Sequence, residues 1–197
     1  MKKLIVASKN KGKLKEIKEI LSDMPIKVIS MDEAGVDIEI EETGMTFEEN
    51  ALIKAKAVFD VTGNIILADD SGLEVDCLNG APGIYSARFA GDNASDNDNL
   101  VKLLGMLKDI PMEKREARFV CAVAAILENG SYFTVRGTCE GYITDTPNGE
   151  NGFGYDPVFL VPRFQKTMAE LDEELKNEIS HRGNALKLFK ESIKKYI

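Results

Sequence analysis

Ile65-Ile66-Leu67-Ala68-Asp69-Asp70-Ser71-Gly72 is the stretch whose reading decides the fold. Four consecutive apolar residues after Thr62-Gly63-Asn64 are too short a run for a helix and read as a strand buried on both faces. Strands of that kind lie in sheets covered by helices, and the alternation of helices and strands along the chain points to the α/β or α+β class with a mixed sheet. The run is expected to end at Asp69. If extended geometry persists there, the Asp69 and Asp70 side chains diverge and only one of them faces a given site. Asp-Ser-Gly is also ordinary turn chemistry, so metal site and turn are both open on these residues alone.

Working outward, Thr46-Phe47-Glu48-Glu49 has the form of a capping box, and the helix it opens carries Phe47, Ala51 and Val58 on one stripe before stopping near Val61. Asn50 and Lys54, one turn apart, border that stripe. Glu39 to Gly44 reads as an acidic loop. Upstream, Lys3 to Ala7 is a short apolar strand, Ser8 to Lys13 a polar loop, Leu14, Ile17 and Leu21 one face of a helix, and Lys27 to Ser30 a second strand. Downstream, a helix around Asn97 to Lys108 precedes β-rich runs at Arg118 to Leu127 and Tyr132 to Cys139, joined as a hairpin through Glu128-Asn129-Gly130-Ser131. Pro157 to Val161 reads as another strand, and helices are expected from Thr167 to about Asn177 and from Ser180 to near the C-terminus. With no internal repeat, residues 1–197 are expected to form one compact domain.

The 197 residues are 44% hydrophobic and 29% charged, the balance of a globular chain rather than a disordered one. The formal net charge of −8 opposes non-specific binding to nucleic acid or to an anionic membrane. A polyanionic ligand therefore needs a local basic pocket or a metal. The apolar run Leu4-Ile5-Val6-Ala7 is too short for a signal peptide, and no stretch is long enough to span a bilayer, so a cytoplasmic protein is expected. Cys77, Cys121 and Cys139 show neither a disulfide framework nor zinc spacing.

Four other stretches carry chemistry. Ser8-Lys9-Asn10-Lys11-Gly12-Lys13 sets three lysines at a helix start, where free N–H groups and the helix dipole favour phosphate, although it lacks the pattern of a Walker A loop. Hard Mg²⁺ prefers one or two carboxylates with phosphate oxygens and water, so Glu41 or Glu42 is a candidate second carboxylate beside the strand-end acids. Gly149-Glu150-Asn151-Gly152-Phe153-Gly154-Tyr155-Asp156-Pro157 combines flexible glycines with aromatics suited to stacking on a base. Ser180-His181-Arg182 places the single histidine at a helix start, where the dipole favours a neutral ring.

Taken in order, Ser8-x-Asn10-x-x-Lys13, Glu41-Glu42-Thr43-Gly44, Thr46-Phe47-x-Glu49-Asn50-Ala51, Ala68-Asp69-Asp70-Ser71-Gly72-Leu73, Gly80-Ala81-Pro82-Gly83, Gly152-Phe153-Gly154-Tyr155-Asp156-Pro157 and Ser180-His181-Arg182 closely resemble the inosine triphosphate pyrophosphatase family over essentially the whole chain. The resemblance implies an elongated, two-lobed α/β fold with a mixed β-sheet flanked by helices, an active site in the cleft between lobes, and a homodimer. It implies Mg²⁺-dependent hydrolysis of non-standard purine nucleoside triphosphates (ITP, dITP, XTP) to the monophosphate and pyrophosphate. By the same resemblance the loop Ser8, Lys9, Asn10, Lys11, Gly12 and Lys13, with Lys54, would hold phosphates. Asp70 would be the catalytic acid, Glu41 would share the metal with it, and Ser71 would touch substrate. Phe153, Gly154, Tyr155 and Asp156 would surround base and sugar, with Lys176, His181 and Arg182 closing over the base. Relatives often carry smaller residues where this chain has Glu150-Asn151, a departure that bears on the loop's conformation. The related septum-inhibitor-like pyrophosphatases and a non-catalytic nucleotide sensor are the rival readings.

Overall fold

The computed structural model describes residues 2–196. Seven strands among these residues, β1 (Lys3–Val6), β2 (Lys27–Ser30), β3 (Ile65–Val75), β4 (Glu116–Ile126), β5 (Tyr132–Ile143), β6 (Phe159–Val161) and β7 (Lys166–Thr167), form one sheet in the order β2-β1-β3-β4-β5-β6-β7. β1 runs parallel to β2 and to β3, while β6 is antiparallel to both β5 and β7. The sheet is therefore mixed, and the α/β class expected from the sequence is what the chain adopts. Among the described residues five helices accompany it: α1 (Lys11–Ile20), α2 (Phe47–Thr62), α3 (Asp96–Leu107), α4 (Glu173–Ile179) and α5 (His181–Ile193). Among the described residues no helix is long and apolar enough to cross a membrane.

The chain divides into two compact units, one of residues 1–70, 121–137 and 182–197, the other of residues 71–120 and 138–181. In the first, strand alternation builds a core on each face. Leu4, Val6, Ile65, Leu67, Cys121 and Val123 pack against Ile17 and Leu21 at α1 and Ala185, Leu186 and Phe189 on α5. Ile5, Ile66, Ala68 and Ala124 pack against Ala51, Ala55 and Val58 on α2. Burying both faces explains why Ile65 to Ala68 is uninterruptedly apolar. Each fully buried Ile or Leu side chain contributes roughly 1.5–3 kcal/mol. In the second unit Leu73 and Val75 join Phe119, Ile143, Phe159 and Met168, with Leu100, Leu103 and Leu107 of α3 packed among them.

Local signals explain most boundaries. Thr46 caps α2, accepting the Glu49 N–H at 3.1 Å, but Glu49 returns its carboxylate to Met45 N–H at 2.6 Å rather than to Thr46. Gly63, left-handed at φ 62°, ends α2 by donating to Phe59 O, as a C-terminal glycine does. The turn after β4 closes through Leu127 N–H on Ser131 O.

Three expectations need correction. β3 does not stop at Ala68: it runs through Asp69, Asp70, Ser71 and Gly72 to Val75, because cations meet the acids and Leu73 and Val75 resume the buried alternation. The turn reading of Asp-Ser-Gly is therefore excluded. Thr167 does cap, with Glu170 answering to its N–H at 2.7 Å, yet the box closes only a short 3₁₀ turn over Met168–Glu170. The helix restarts at Glu173, where Asp172 accepts the Leu175 N–H at 2.8 Å. Finally, Pro157 belongs to a 3₁₀ turn, Asp156–Val158, that delays β6 to Phe159.

Candidate active site

In the first unit the loop after β1 leads directly into α1. Asn10 is its N-cap, accepting the Lys13 N–H at 3.0 Å, and Ser8 Oγ accepts the Asn10 N–H at 3.2 Å, so both side chains shape the loop itself. Lys9 points to Asp37, 2.9 Å away, and Lys11 is exposed at the first helical position with Gly12 behind it. Lys13 turns inward and its ammonium lies 3.1 Å from Asp69 Oδ2.

Strand alternation sends the two aspartates to different helices. Asp69, only 1% exposed, meets Lys13 of α1 and Arg182 of α5, whose guanidinium nitrogens stand 3.2 and 3.4 Å from Oδ2. Arg182 also donates to Glu16, a buried acid one turn beyond Lys13 on α1. Asp70 faces α2, where Lys54 Nζ lies 3.1 Å from Oδ1 and Asn50 Nδ2 donates to Oδ2 at 3.3 Å.

Their electrostatics diverge accordingly. Burial works to raise the Asp69 carboxyl, but Lys13, Arg182 and Lys54 outweigh it and hold the group well below the usual carboxylate range. For Asp70 burial prevails over Lys54 and Lys13, with Glu42 adding to it, and the carboxyl is raised above its ordinary value. Lys54 is buried as well, a cost to its charge that Asp70, Asp69 and Glu42 outweigh, so its pKa rises. Cys121, beside Asp69, is fully buried and its thiol is pushed up to about 12, mainly by burial, which leaves it a small protonated core residue.

Of the acidic loop, it is Glu42 that reaches this cluster, 3.2 Å from Lys54 Nζ, while Glu41 is exposed. The loop is tied down at Gly44, whose N–H donates to Asn50 Oδ1 at 2.8 Å. Among the described residues no three His, Cys, Asp or Glu groups are placed to hold a metal ion by themselves. Mg²⁺ does not ask for such a cage, since it commonly takes one or two carboxylates and fills its shell with phosphate oxygens and water. Asp70 and Glu42, both hard oxygen donors bridged by one ammonium, fit that demand.

The second unit gathers the remaining candidates. Lys176 of α4 lies 2.8 Å from Asp156 Oδ2, which also accepts the Phe153 N–H at 2.9 Å, and the ammonium sits 4.9 Å from the Phe153 ring centroid. Gly152, at φ +79°, leaves the space for this: a Cβ there would collide with the Asp156 carboxylate and stand 3.0 Å from Lys176 Nζ. Gly154 N–H donates to Asp96 at 2.8 Å, and the buried Tyr155 hydroxyl donates to Ser86 O at 2.7 Å, its pKa raised by burial and by Asp96. Asn151 fastens the loop by donating to Ala169 O and Leu171 O, both at 3.0 Å. His181 is buried with its ring stacked on Phe119, centroids 4.8 Å apart. Ser71 is half-buried on β3, in the strand position after Asp70.

Sequence reasoning missed Glu16 as a member of the first cluster. Its only sequence signal is its place one turn after Lys13, because the Arg182 that buries it lies 166 residues away. Phe119, inside an apolar strand, gave no sign of carrying a histidine.

Comparison with known proteins places nearly the whole chain in one family. The sequence model of the Ham1 family matches residues 4–192. A Bacillus subtilis protein named dITP/XTP pyrophosphatase is 52% identical over 187 residues, covering 95% of this chain and 94% of that one. A Clostridium perfringens protein of the same name is 48% identical over 200 residues, 98% of each. The solved Staphylococcus aureus Ham1 protein superposes with a TM-score of 0.88 at 45% identity over 100% of both chains. A HAM1 protein from Coxiella burnetii gives 0.89 at 46% identity, covering 99% of this chain and 100% of that one. A match over almost the full length, in sequence and in fold alike, means that this chain belongs to the Ham1 family.

Proposed function

We propose that the protein hydrolyses non-standard purine nucleoside triphosphates, dITP, XTP and ITP, to the nucleoside monophosphate and pyrophosphate, with Mg²⁺ as cofactor. In the cell it would act in the cytoplasm as a homodimer and keep such nucleotides from being incorporated into DNA and RNA. The observation that carries the reading is Asp70: a buried carboxylate raised above its ordinary pKa, held by Asn50 and Lys54, in a chain whose near relatives bear the name dITP/XTP pyrophosphatase.

The chemistry follows from these residues. Lys13 and Lys54 rest on Asp69 and Asp70 in the free protein, and the greater negative charge of a triphosphate competes for both ammonium groups. The first turn of α1 adds the backbone N–H groups of Lys11 and Gly12, suited to the phosphate chain, those of Asn10 and Lys13 being taken by Ser8 and Asn10. Asp70 takes the proton from a water whose oxygen attacks the α-phosphorus in line, as the bond to the β-phosphate bridging oxygen breaks and pyrophosphate leaves. A carboxylate with a raised pKa is the better base for that step. Mg²⁺, when bound, supplies neutralisation of the phosphate charge, and Asp70 with Glu42 or Glu41 would hold it.

For the base, the 6-keto group of hypoxanthine or xanthine accepts hydrogen bonds where the amino group of adenine donates them. The Lys176 ammonium and the His181 ring supply donors of the right kind, with the Phe153 and Tyr155 rings in the loop that carries Asp156. The test is product analysis over a panel of triphosphates with and without Mg²⁺. The expected outcome is monophosphate and pyrophosphate from dITP, XTP and ITP at far higher kcat/KM than from ATP or GTP, only with Mg²⁺. Equal rates on every triphosphate would refute the specificity, and orthophosphate as the first product would refute the cleavage position.

A further inference from the structure

We infer that Asn50 is a positioning residue that sets the orientation of Asp70 and locks the acidic loop beside it. The catalytic part of this inference rests on the nucleotide-hydrolysis reading above. The side chain is 1% exposed, which obliges its polar amide to find partners on both ends. Oδ1 accepts the Gly44 N–H at 2.8 Å, and Nδ2 donates to Asp70 Oδ2 at 3.3 Å. Those two bonds fix each other. A backbone N–H can only meet the amide oxygen, so the amino end must face the carboxylate.

Lys54, one helical turn further along α2, takes the other oxygen, Oδ1 of Asp70, at 3.1 Å. Both carboxylate oxygens are thus held by donors four residues apart on one helix, and the plane of the carboxylate is set by that spacing. Lys54 alone would leave the group free to pivot about its Oδ1 contact, and a long lysine chain is a poor constraint on direction. Asn50, short and packed at the base of the helix face, supplies the second point. The same amide carries the loop: Gly44 follows Glu41-Glu42-Thr43, so its anchor decides where both candidate metal-binding acids lie.

The fit between the two partners is tight. A Cβ on residue 44 would stand 2.6 Å from Asn50 Oδ1 and 2.9 Å from Asn50 N, so only glycine lets its N–H come this close. Three replacements at position 50 fail for different reasons. Aspartate keeps the acceptor for Gly44 but sets a carboxylate against Asp70; serine is too short to span both partners; alanine leaves both unmet.

The test compares Asn50→Asp, Asn50→Ala and Gly44→Ala with the wild type under saturating Mg²⁺, scoring kcat and KM for dITP per folded protein. Loss of a bond to the reacting carboxylate lowers kcat by about tenfold to a hundredfold in both Asn50 variants, with KM changing by about threefold or less. Gly44→Ala, whose Cβ would press on Asn50 Oδ1 and on the start of α2 as well as shift the loop, lowers kcat and raises KM for the Mg²⁺-nucleotide together. A second readout needs no turnover. Amide exchange at Gly44 accelerates in Asn50→Ala but not in Asp70→Ala, while the Asn50 side-chain NH₂ resonances shift in Asp70→Ala. A wild type that fails to hydrolyse dITP or XTP overturns the functional reading and leaves the positioning role to be decided by those two signals. Wild-type kcat in both Asn50 variants, or an NH₂ signal indifferent to Asp70→Ala, overturns the inference, and the latter measurement stands even if an Asn50 variant does not fold.

Discussion

Replacing each of the adjacent aspartates by asparagine should give opposite outcomes. Asp69→Asn removes a carboxylate that is 1% exposed, 3.1 Å from the Lys13 ammonium and 3.2 Å from an Arg182 nitrogen. Breaking a buried pair from one side costs about 3–5 kcal/mol, because the remaining cation loses its counter-charge. Glu16 stays on Arg182, so the lower end, about 3 kcal/mol, applies. For a chain of this size that corresponds to a Tm lower by roughly 6–12 °C. Asp70→Asn has no such cost. Its carboxyl is already raised by burial, meaning that the fold disfavours the charge, and an isosteric amide relieves that. Stability should change by about 1 kcal/mol or less in either direction, while kcat falls to near background.

The pH dependence separates the two further. Asp69 has a folded pKa below its unfolded value, so its contribution is complete above about pH 4 and is lost as pH falls towards the folded pKa. The stability gap between wild type and Asp69→Asn should therefore narrow on acidification. Asp70 has a folded pKa above its unfolded value, so its ionised form weighs against folding at neutral pH and that penalty fades as pH falls through the folded pKa. Relative to Asp70→Asn, the wild type should gain stability on acidification. Urea unfolding at a series of pH values, with turnover measured on the same samples, decides it. If Asp69→Asn matched the wild type in stability, or Asp70→Asn lost as much as Asp69→Asn, the division of roles would be refuted.

Gly152→Ala should raise KM for dITP by at least about tenfold with a smaller effect on kcat, since its Cβ displaces Asp156 and Lys176 and the left-handed backbone adds strain; an unchanged KM would remove the Asp156–Lys176 pair from substrate binding.

How legible the molecule was depends on how local the cause is. β2 was read at its true bounds, Lys27–Ser30, and Thr46 and Gly63 marked both ends of α2, because a cap or an apolar run acts within a few residues. The continuation of β3 past Ala68 was hidden. Two adjacent acids normally end a strand, and what sustains them comes from Lys13, Asn50, Lys54 and Arg182, all distant in sequence. Glu16 was illegible for the same reason. In a lysine-rich amphipathic helix it reads as solvated, and only the return of α5 buries it against Arg182. The α4 start failed differently: the Thr167 signal was genuine, but a cap licenses a first turn and does not guarantee the next.

The divergence of Asp69 and Asp70 was foreseen from strand geometry, and it organises the first unit. Successive residues of a strand face opposite ways, so adjacent, chemically identical side chains meet different helices without any loop to separate them. The face towards α1 and α5 offers two cations and makes Asp69 a fixed charge. The face towards α2 offers one ammonium, shared with Glu42, and a neutral amide, so burial prevails and Asp70 keeps basicity. Register is what assigns these roles: a slip of one residue in β3 would exchange them and put Ile66 and Ala68 on the wrong core. Because Ile65 to Ala68 is apolar on both faces, polarity alone does not fix the register; the close packing of Ile65 and Leu67 in one core and of Ile66 and Ala68 in the other, with the cations that meet Asp69, opposes the slip and so determines which carboxylate remains available to take a proton.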